Sequence, residues 1–160
     1  MSVRENLVAV IMAGGIGSRF WPASTPENPK QFLQFFGDWS LLQKSYDRIA
    51  TLIPPERVLI LTQERFRGLV KSQLPDIPNE NIIGEPIRRD TAAPVALSAL
   101  WTHEKWGSQV LAVLTSDHLI GTDEDFQKAL ISAGEAAMQS DCLYTFGIPP
   151  SYPATGYGYL

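Results

Sequence analysis

Residues 7–22 read LVAVIMAGGIGSRFWP, and this stretch decides the fold. Its first seven residues are all apolar, which is typical of a strand buried on both faces of a parallel sheet. Three glycines follow at positions 14, 15 and 17. Glycine lets the backbone approach a phosphate closely, and successive backbone amides can form a nest that binds an anion. The stretch therefore predicts a buried strand that ends in an anion-binding loop.

Apolar runs and amphipathic stretches alternate along the rest of the chain. Buried strands are predicted at residues 7–13, 57–62, 81–84, 110–114 and 143–148. Apolar residues at helical spacing predict helices at 41–53, 64–74, 91–106 and 123–139. Strands that alternate with helices build a parallel sheet covered on both faces. We therefore predict an α/β fold, a three-layer α/β/α sandwich with a mostly parallel, Rossmann-like central sheet, whose ligands bind at the carboxyl ends of the strands.

Composition narrows the class of protein. The chain has 160 residues, enough for one domain, and a net charge of −4. This charge gives no general attraction for a nucleic-acid polymer or an anionic membrane. No apolar run reaches the ~18 residues of a membrane span, and the first residues lack the pattern of a secretory signal. The single cysteine, Cys142, excludes an internal disulfide. We expect a cytoplasmic protein with no nucleic-acid or membrane partner.

Two common phosphate-binding motifs do not fit the glycine loop. The Walker pattern needs a Lys-Ser/Thr pair after its last glycine, and none follows. The dinucleotide fingerprint fails because Phe20 stands where its third glycine belongs, and Glu27 comes too early to be the ribose-binding acid, so a Rossmann dehydrogenase is disfavoured. The loop instead ends in Arg19, and a second cation, Lys30, follows a proline-rich stretch. Two cations and an amide nest suit a polyphosphate.

The stretch AGGIGSRFWPASTPENPKQFL, residues 13–33, resembles the signature of the sugar-nucleotidyltransferase family, G-G-x-G-[ST]-R followed by P-K. Further segments agree in order: GEP at 84–86, RDTAAP at 89–94, SDH at 116–118, TFGI at 145–148 and TGYGY at 155–159. Within the family, the PKQFL wording is most similar to the mannose-1-phosphate guanylyltransferases. Asp90 stands where the family usually has Asn, and Thr115 stands where it usually has Pro.

The resemblance implies a reaction between two anions. A phosphate oxygen of mannose 1-phosphate attacks the α-phosphorus of GTP, pyrophosphate leaves, and GDP-mannose forms. It implies catalytic roles for Arg19, which would grip the β- and γ-phosphates, and for Lys30, which would neutralise the α-phosphate and the sugar phosphate. Asp117 is implied to be catalytic as the carboxylate that holds Mg²⁺, the expected cofactor. Without the resemblance, these three would be interpreted as surface cations and a loop aspartate.

The resemblance also implies which residues bind the two substrates. The nucleotide would be held by Ala13, Gly14, Gly15, Gly17, Ser18, Arg19, Glu85, Pro86, Asp90, Thr91 and Ala92. The sugar pocket would be lined by Gly156, Tyr157 and Gly158. A glutamate such as Glu85 can pair with guanine N1–H and N2–H, which adenine would not offer. The structural alternative is that Asp90 or Thr91 caps the following helix.

Several alternatives stay open at this point. One is a nucleotidyltransferase for another pair of nucleoside triphosphate and sugar 1-phosphate, and another is a non-catalytic module that binds a nucleotide sugar. The family uses a second metal-binding aspartate later in its sequence, which has no counterpart in residues 1–160. We expect residues 1–160 to be the N-terminal nucleotide-binding part of a longer catalytic domain, and the full-length protein to be a homo-oligomer.

Overall fold

The computed structural model describes residues 2–15, 17, 20–87, 90–118, 120–153, 155–156 and 158–159. Its strands are β1 Leu7–Met12, β2 Val58–Gln63, β3 Ile82–Glu85 and β4 Val110–Thr115. Its α-helices are α1 Val3–Asn6, α2 Leu41–Ala50, α3 Arg67–Gln73, α4 Ala92–Trp106 and α5 Asp123–Gln139. Short 3₁₀ turns lie at Lys30–Phe32, Pro55–Arg57, Glu64–Phe66 and Asn79–Asn81.

The four strands form one parallel sheet in the order β3-β2-β1-β4. Strand β1 is central, and its Ala9 is in register with Val58 of β2 and with Ala112 of β4. The chain moves outward on one side from β1 to β3 and then crosses back to place β4 on the other side of β1. The strand order therefore reverses between β1 and β4, and ligands of such sheets bind at that point, outside the carboxyl ends of the strands.

The core lies on both faces of this sheet. Alternate residues of β1 point to opposite faces, as they must in a strand. Leu7, Ala9 and Ile11 join a large apolar cluster with helices α2, α3 and α5. Val8 and Val10 join a smaller cluster against which Trp106 of α4 packs. The predicted three-layer α/β/α sandwich is therefore confirmed.

Helix α2 begins where the sequence predicts. The Ser40 hydroxyl accepts a hydrogen bond from the Gln43 amide at 3.1 Å, and the Gln43 side chain accepts one from the Ser40 amide at 2.9 Å. This reciprocal pair satisfies two backbone donors that a helix start leaves without partners. The helix ends at Ala50, earlier than the predicted residue 53.

Two predicted elements differ in the structure. The predicted helix at 64–74 begins instead as the 3₁₀ turn Glu64–Phe66 and becomes α-helical only at Arg67. The predicted strand at 143–148 is wrong, because the structure describes this whole segment and it forms no strand. A strand is stabilised by pairing with a neighbour, and this segment has none among the described residues. Leu143 and Ile148 consequently lie exposed.

In the described part of the chain, no helix combines the length and the apolar character needed to span a bilayer.

Candidate functional site

The carboxyl edge of the sheet carries the glycine loop after β1 and the segment Ser116-Asp117 after β4. The end of β1 is fixed between its two neighbours. The Ala13 amide donates to the Leu61 carbonyl of β2 at 2.7 Å. On the other side, the hydroxyl of Ser116 donates to the Met12 carbonyl at 2.9 Å. The glycine loop and Asp117 therefore start from adjacent, rigid strand ends.

Gly17 brings the loop into close contact with Lys30. Its φ is 67°, a left-handed conformation that favours glycine. A Cβ at this position would lie 2.7 Å from Ser24 Oγ and 2.8 Å from Lys30 Cγ. Only a residue without a side chain permits this approach, which explains why glycine is needed here.

Lys30 and Asp117 form an ion pair, although 87 positions separate them in sequence. Pro29 is extended, and Lys30 begins the 3₁₀ turn that points its side chain back to the sheet edge. The side chains of Lys30 and Asp117 are 20% and 29% exposed, so both charges are partly shielded from water. The Lys30 ammonium also lies 5.2 Å from the centroid of the Phe20 ring, within the range of a cation–π contact.

The environment of Asp117 keeps its carboxylate ionised. Burial raises the pKa of Asp117, but the hydrogen bond and charge of Lys30, the charge of His118 and a hydrogen bond from Thr115 more than offset this effect. The net result is a pKa for Asp117 below its usual value. An ionised carboxylate can bind a divalent metal ion, and the ammonium group of Lys30 beside it can bind a phosphate-bearing ligand.

Glu85 extends the site along the sheet edge, at the end of β3. Its carboxylate oxygen Oε2 lies 3.3 Å from the position that a Cβ of Gly14 would take. A larger residue at position 14 would therefore crowd Glu85. Glu85 is in register with Gln63 of β2, so the ends of three strands contribute polar groups beside the glycine loop.

The other predicted nucleotide-binding residues follow β3 in the sequence or lie outside the described ranges. Pro86, Asp90, Thr91 and Ala92 follow β3 and are exposed. Thr91 occupies the N-cap of α4 without a side-chain capping bond, and Asp90 has a left-handed φ of 48°. Three predicted site residues lie outside the described ranges: Ser18, Arg19 and Tyr157.

The predicted sugar-binding glycines are not brought against the sheet edge by any contact in the described structure. Gly156 and Gly158 are exposed, and a Cβ at either would meet no atom within 4 Å. A shallow hollow in this segment is lined by residues between 150 and 159 alone, as far as the structure describes them. The structure therefore brings Lys30, Asp117 and Glu85 together at the glycine loop. Within the described ranges, it shows no contact of Gly156 or Gly158 with these residues.

Gln31, Thr62 and Gln63 are polar residues of the site that the sequence analysis missed. All three donate hydrogen bonds to carbonyls of the glycine loop. Gln31 lies within the PKQFL segment, so its position next to Lys30 was the available signal. Thr62 ends the strand predicted at 57–62 and Gln63 follows it directly, at the carboxyl end of the strand where ligands of such sheets bind.

The fold and this edge define a class, the doubly wound α/β proteins that bind a ligand where the strand order reverses. Residues 8–160 match the family described as "Nucleotidyl transferase". The chain belongs to the nucleotidyl transferase family. Members of this family generally use a divalent metal ion.

Two curated relatives of this chain share one function in their names. The chain is 43% identical over 160 residues to the mannose-1-phosphate guanylyltransferase of Salmonella muenchen. This match covers 98% of this chain and 33% of that protein. The chain is 40% identical over 158 residues to the protein of the same name from Sinorhizobium fredii, covering 97% of this chain and 31% of that protein. The chain thus spans about a third of the length of these curated relatives.

A solved structure supports the fold. It is described as mannose-1-phosphate geranyltransferase from Thermus thermophilus and superposes with a TM-score of 0.75 at 37% sequence identity. The match covers 82% of this chain and 38% of that chain.

Proposed function

We propose that residues 1–160 form the N-terminal, nucleotide-binding part of a mannose-1-phosphate guanylyltransferase. The enzyme makes GDP-mannose and pyrophosphate from GTP and mannose 1-phosphate. The observation that carries this proposal is the pairing of Lys30 with Asp117 beside the glycine loop, at the reversal of strand order. The names of the relatives at 40% and 43% identity support the choice of substrates.

Charge neutralisation is the main task of the chain in this reaction. The attacking phosphate and the triphosphate are both anions, so they repel each other unless cations lie between them. Lys30 is positioned at the sheet edge to neutralise the α-phosphate and the sugar phosphate. We assign the β- and γ-phosphates of the leaving pyrophosphate to Arg19, at the end of the glycine loop. Amides of the loop itself add hydrogen-bond donors.

Mg²⁺ is the metal ion that we propose for this site. Mg²⁺ in proteins binds one or two carboxylates together with phosphate oxygens and water. Asp117 supplies one such carboxylate, and its lowered pKa keeps it ionised. Among the described residues, no group of three His, Cys, Asp or Glu side chains could hold an ion by itself, so substrate oxygens would complete the set. When bound, Mg²⁺ would supply positive charge to the phosphates.

Recognition of guanine is assigned to Glu85. Its carboxylate is an acceptor that suits the N1–H and N2–H donors of guanine, and Gly14 leaves room for it. Pro86, Asp90, Thr91 and Ala92 follow β3 in the sequence, and we propose them as further nucleotide contacts. Gly156, Tyr157 and Gly158 are proposed to line the sugar pocket.

Turnover by the full-length protein tests this proposal. Mannose 1-phosphate is offered with each of the four nucleoside triphosphates, and the nucleotide sugar and pyrophosphate are measured. We expect GDP-mannose from GTP, and we expect Lys30→Ala and Asp117→Asn to lower kcat/KM by roughly 10²–10³. Lys128→Ala and Asp125→Asn are matched controls, because they break an ion pair of the same residue types on the exposed side of α5.

Two outcomes of this assay would replace the proposal. A product formed only from another nucleoside triphosphate would identify a nucleotidyltransferase of different base specificity. Binding of GTP or GDP-mannose without any turnover would favour a non-catalytic module that binds a nucleotide sugar.

Location and assembly are part of the same proposal. The net charge of −4 and the single Cys142 suit a cytoplasmic protein. For the full-length protein we propose a homo-oligomer, which light scattering coupled to size-exclusion chromatography would measure.

A further inference from the structure

Three side-chain donors converge on two carbonyls of the glycine loop. Gln31 Nε2 donates to the Ala13 oxygen at 2.7 Å, and Thr62 Oγ1 donates to the same oxygen at 3.1 Å. Gln63 Nε2 donates to the Gly14 oxygen at 3.1 Å. A carbonyl oxygen has two lone pairs, so both acceptor positions of Ala13 are filled.

These donors are themselves fixed in place. Thr62 and Gln63 belong to β2, and Gln31 belongs to the turn Lys30–Phe32. Gln31 is 1% exposed and Thr62 is fully buried. Burying an amide costs free energy unless its hydrogen bonds are made. The hydrogen bond to the Ala13 carbonyl offsets this cost for the buried Gln31 side chain. Arg65 Nε donates to Gln63 Oε1 at 3.2 Å, which orients the Gln63 amide.

The fixed carbonyls decide where two backbone amides point. In a trans peptide unit, the C=O and the N–H point in opposite directions. The Gly14 N–H is therefore turned away from Gln31 and Thr62, and the Gly15 N–H is turned away from Gln63. Among the hydrogen bonds between described residues, none uses either of these amides as donor. Glycine alone would not keep these directions, because it populates many backbone conformations.

We propose that Gln31, Thr62 and Gln63 are positioning residues that aim the Gly14 and Gly15 amides at an acceptor oxygen of the bound nucleotide. The inference rests on the proposed function, since it takes a nucleotide as the ligand of this sheet edge. Donors that are oriented before the ligand arrives need no reorganisation when it binds. Each of the three residues acts through a carbonyl of the loop, without direct contact to the nucleotide.

Variants of Thr62 test this proposal in the full-length protein. Thr62→Val removes the hydroxyl at nearly constant shape, and Thr62→Ser keeps it. Thr102→Val is the matched control, because the buried Thr102 hydroxyl has no partner among the described residues. We expect Thr62→Val to weaken GTP binding about tenfold, the effect of misdirecting one hydrogen bond to a charged group. Thr62→Ser and Thr102→Val should bind GTP as the unaltered protein does.

Glycine amide resonances separate positioning from a general loss of structure. With ¹⁵N-glycine labelling, GTP should shift the Gly14 and Gly15 amide signals in the unaltered protein and in Thr62→Ser, and shift them less in Thr62→Val. A residue with a structural role alone would lower the Tm and leave these shifts unchanged. Equal GTP affinity of Thr62→Val and Thr102→Val would overturn the proposal.

Gln63→Met provides a second test if Thr62→Val does not fold, because Gln63 is only partly buried. Its control is Gln127→Met, which removes an amide of α5 that donates to the Arg48 carbonyl of α2 and to the Thr51 hydroxyl, away from the glycine loop. We again expect a loss of about tenfold in GTP affinity for Gln63→Met alone. Equal affinity of the two variants would overturn the positioning role.

Guanosine has the base and ribose of GTP but no phosphate. Its affinity for the same variants therefore identifies which part of the nucleotide accepts hydrogen bonds from the Gly14 and Gly15 amides. A loss confined to GTP would assign the amides to a phosphate oxygen, and an equal loss for guanosine would assign them to the base or ribose. If the unaltered protein binds neither ligand, the proposed function fails and the positioning role fails with it. If the unaltered protein binds GTP and no variant differs from its control, the positioning role alone fails.

Discussion

Replacing Gly17 with alanine should destabilise the glycine loop and displace the side chain of Lys30. A side chain at a left-handed φ such as the 67° of Gly17 costs roughly 1–2 kcal/mol. The new Cβ would also lie 2.7 Å from Ser24 Oγ, 2.8 Å from Lys30 Cγ and 2.9 Å from Lys30 Cβ. Overpacking of this kind costs about 1–3 kcal/mol. We therefore expect Gly17→Ala to lower the free energy of unfolding by about 2–5 kcal/mol.

Gly37→Ala is the matched control for this experiment. Gly37 also has a left-handed φ, 89°, but a Cβ there would meet no atom within 4 Å. Its alanine variant should therefore lose only the backbone contribution of roughly 1–2 kcal/mol. Urea unfolding of both variants measures the two free energies, and calorimetry with GTP measures whether the displaced Lys30 lowers affinity.

The comparison can refute the reasoning directly. The loop contact predicts that Gly17→Ala loses more stability than Gly37→Ala and that it alone binds GTP more weakly. Equal losses of stability in the two variants would show that Lys30 and Ser24 do not constrain the loop. Unchanged GTP affinity in Gly17→Ala would show that the loop does not set the position of Lys30.

Three further predictions concern the same framework. The pKa of Asp117 is lowered in the fold, so its ionised carboxylate stabilises the protein above its unfolded pKa of about 3.9. This contribution is lost as the pH falls through the lower folded pKa. The free energy of unfolding, measured with urea from pH 6 downward, should therefore fall less steeply in Asp117→Asn. Thr102→Val should keep or raise the unfolding free energy, by up to about 1 kcal/mol, because it removes a buried hydroxyl that has no partner among the described residues; a clear loss in thermal unfolding would indicate a partner for this hydroxyl. Gly84→Ala should cost about 1–3 kcal/mol in urea unfolding, since its Cβ would meet the Glu64 carboxylate and lie 2.9 Å from the Glu64 Cα; a neutral effect would mean that the Glu64–Phe66 turn moves freely.

The sequence predicted the strands and helices that carry strong periodicity. The apolar run after residue 6 became β1, and helix α5 begins and ends at the predicted residues 123 and 139. The start of α2 at residue 41 was also predicted, and in the structure it carries the reciprocal hydrogen bonds of Ser40 and Gln43, which lie three positions apart. Such features are local, and local patterns are visible in a sequence.

The predicted strand at 143–148 shows where local pattern is insufficient. Its apolar residues suit a strand, but a strand forms only against a neighbour, and the pattern does not reveal whether a neighbour is present. The 3₁₀ turn at Glu64–Phe66 is a similar case, because its hydrogen bonds differ from those of an α-helix by one residue and the apolar spacing is alike.

The candidate site was predicted in part. The resemblance to sugar-nucleotidyltransferases indicated Lys30, Asp117 and Glu85, and the structure places them along one edge of the sheet. It did not indicate the direct ion pair of Lys30 with Asp117, since contact across 87 positions depends on the order of the strands. Gln31 was missed because polar residues are usually exposed; its place in PKQFL next to Lys30 was a signal for the site, but not for a side chain that is 1% exposed.

Calorimetric titration of GTP, with and without Mg²⁺, into the full-length protein and its Lys30→Ala variant tests the central claim most directly. Removing Lys30 leaves the Asp117 carboxylate facing the incoming phosphates, so attraction is replaced by repulsion. The account predicts that GTP binds, that Mg²⁺ strengthens binding, and that Lys30→Ala weakens it by roughly 10–100-fold while Lys128→Ala does not. GTP affinity that is unaffected by Lys30→Ala, or absent in the unaltered protein, would contradict the assignment of this sheet edge to nucleotidyl transfer.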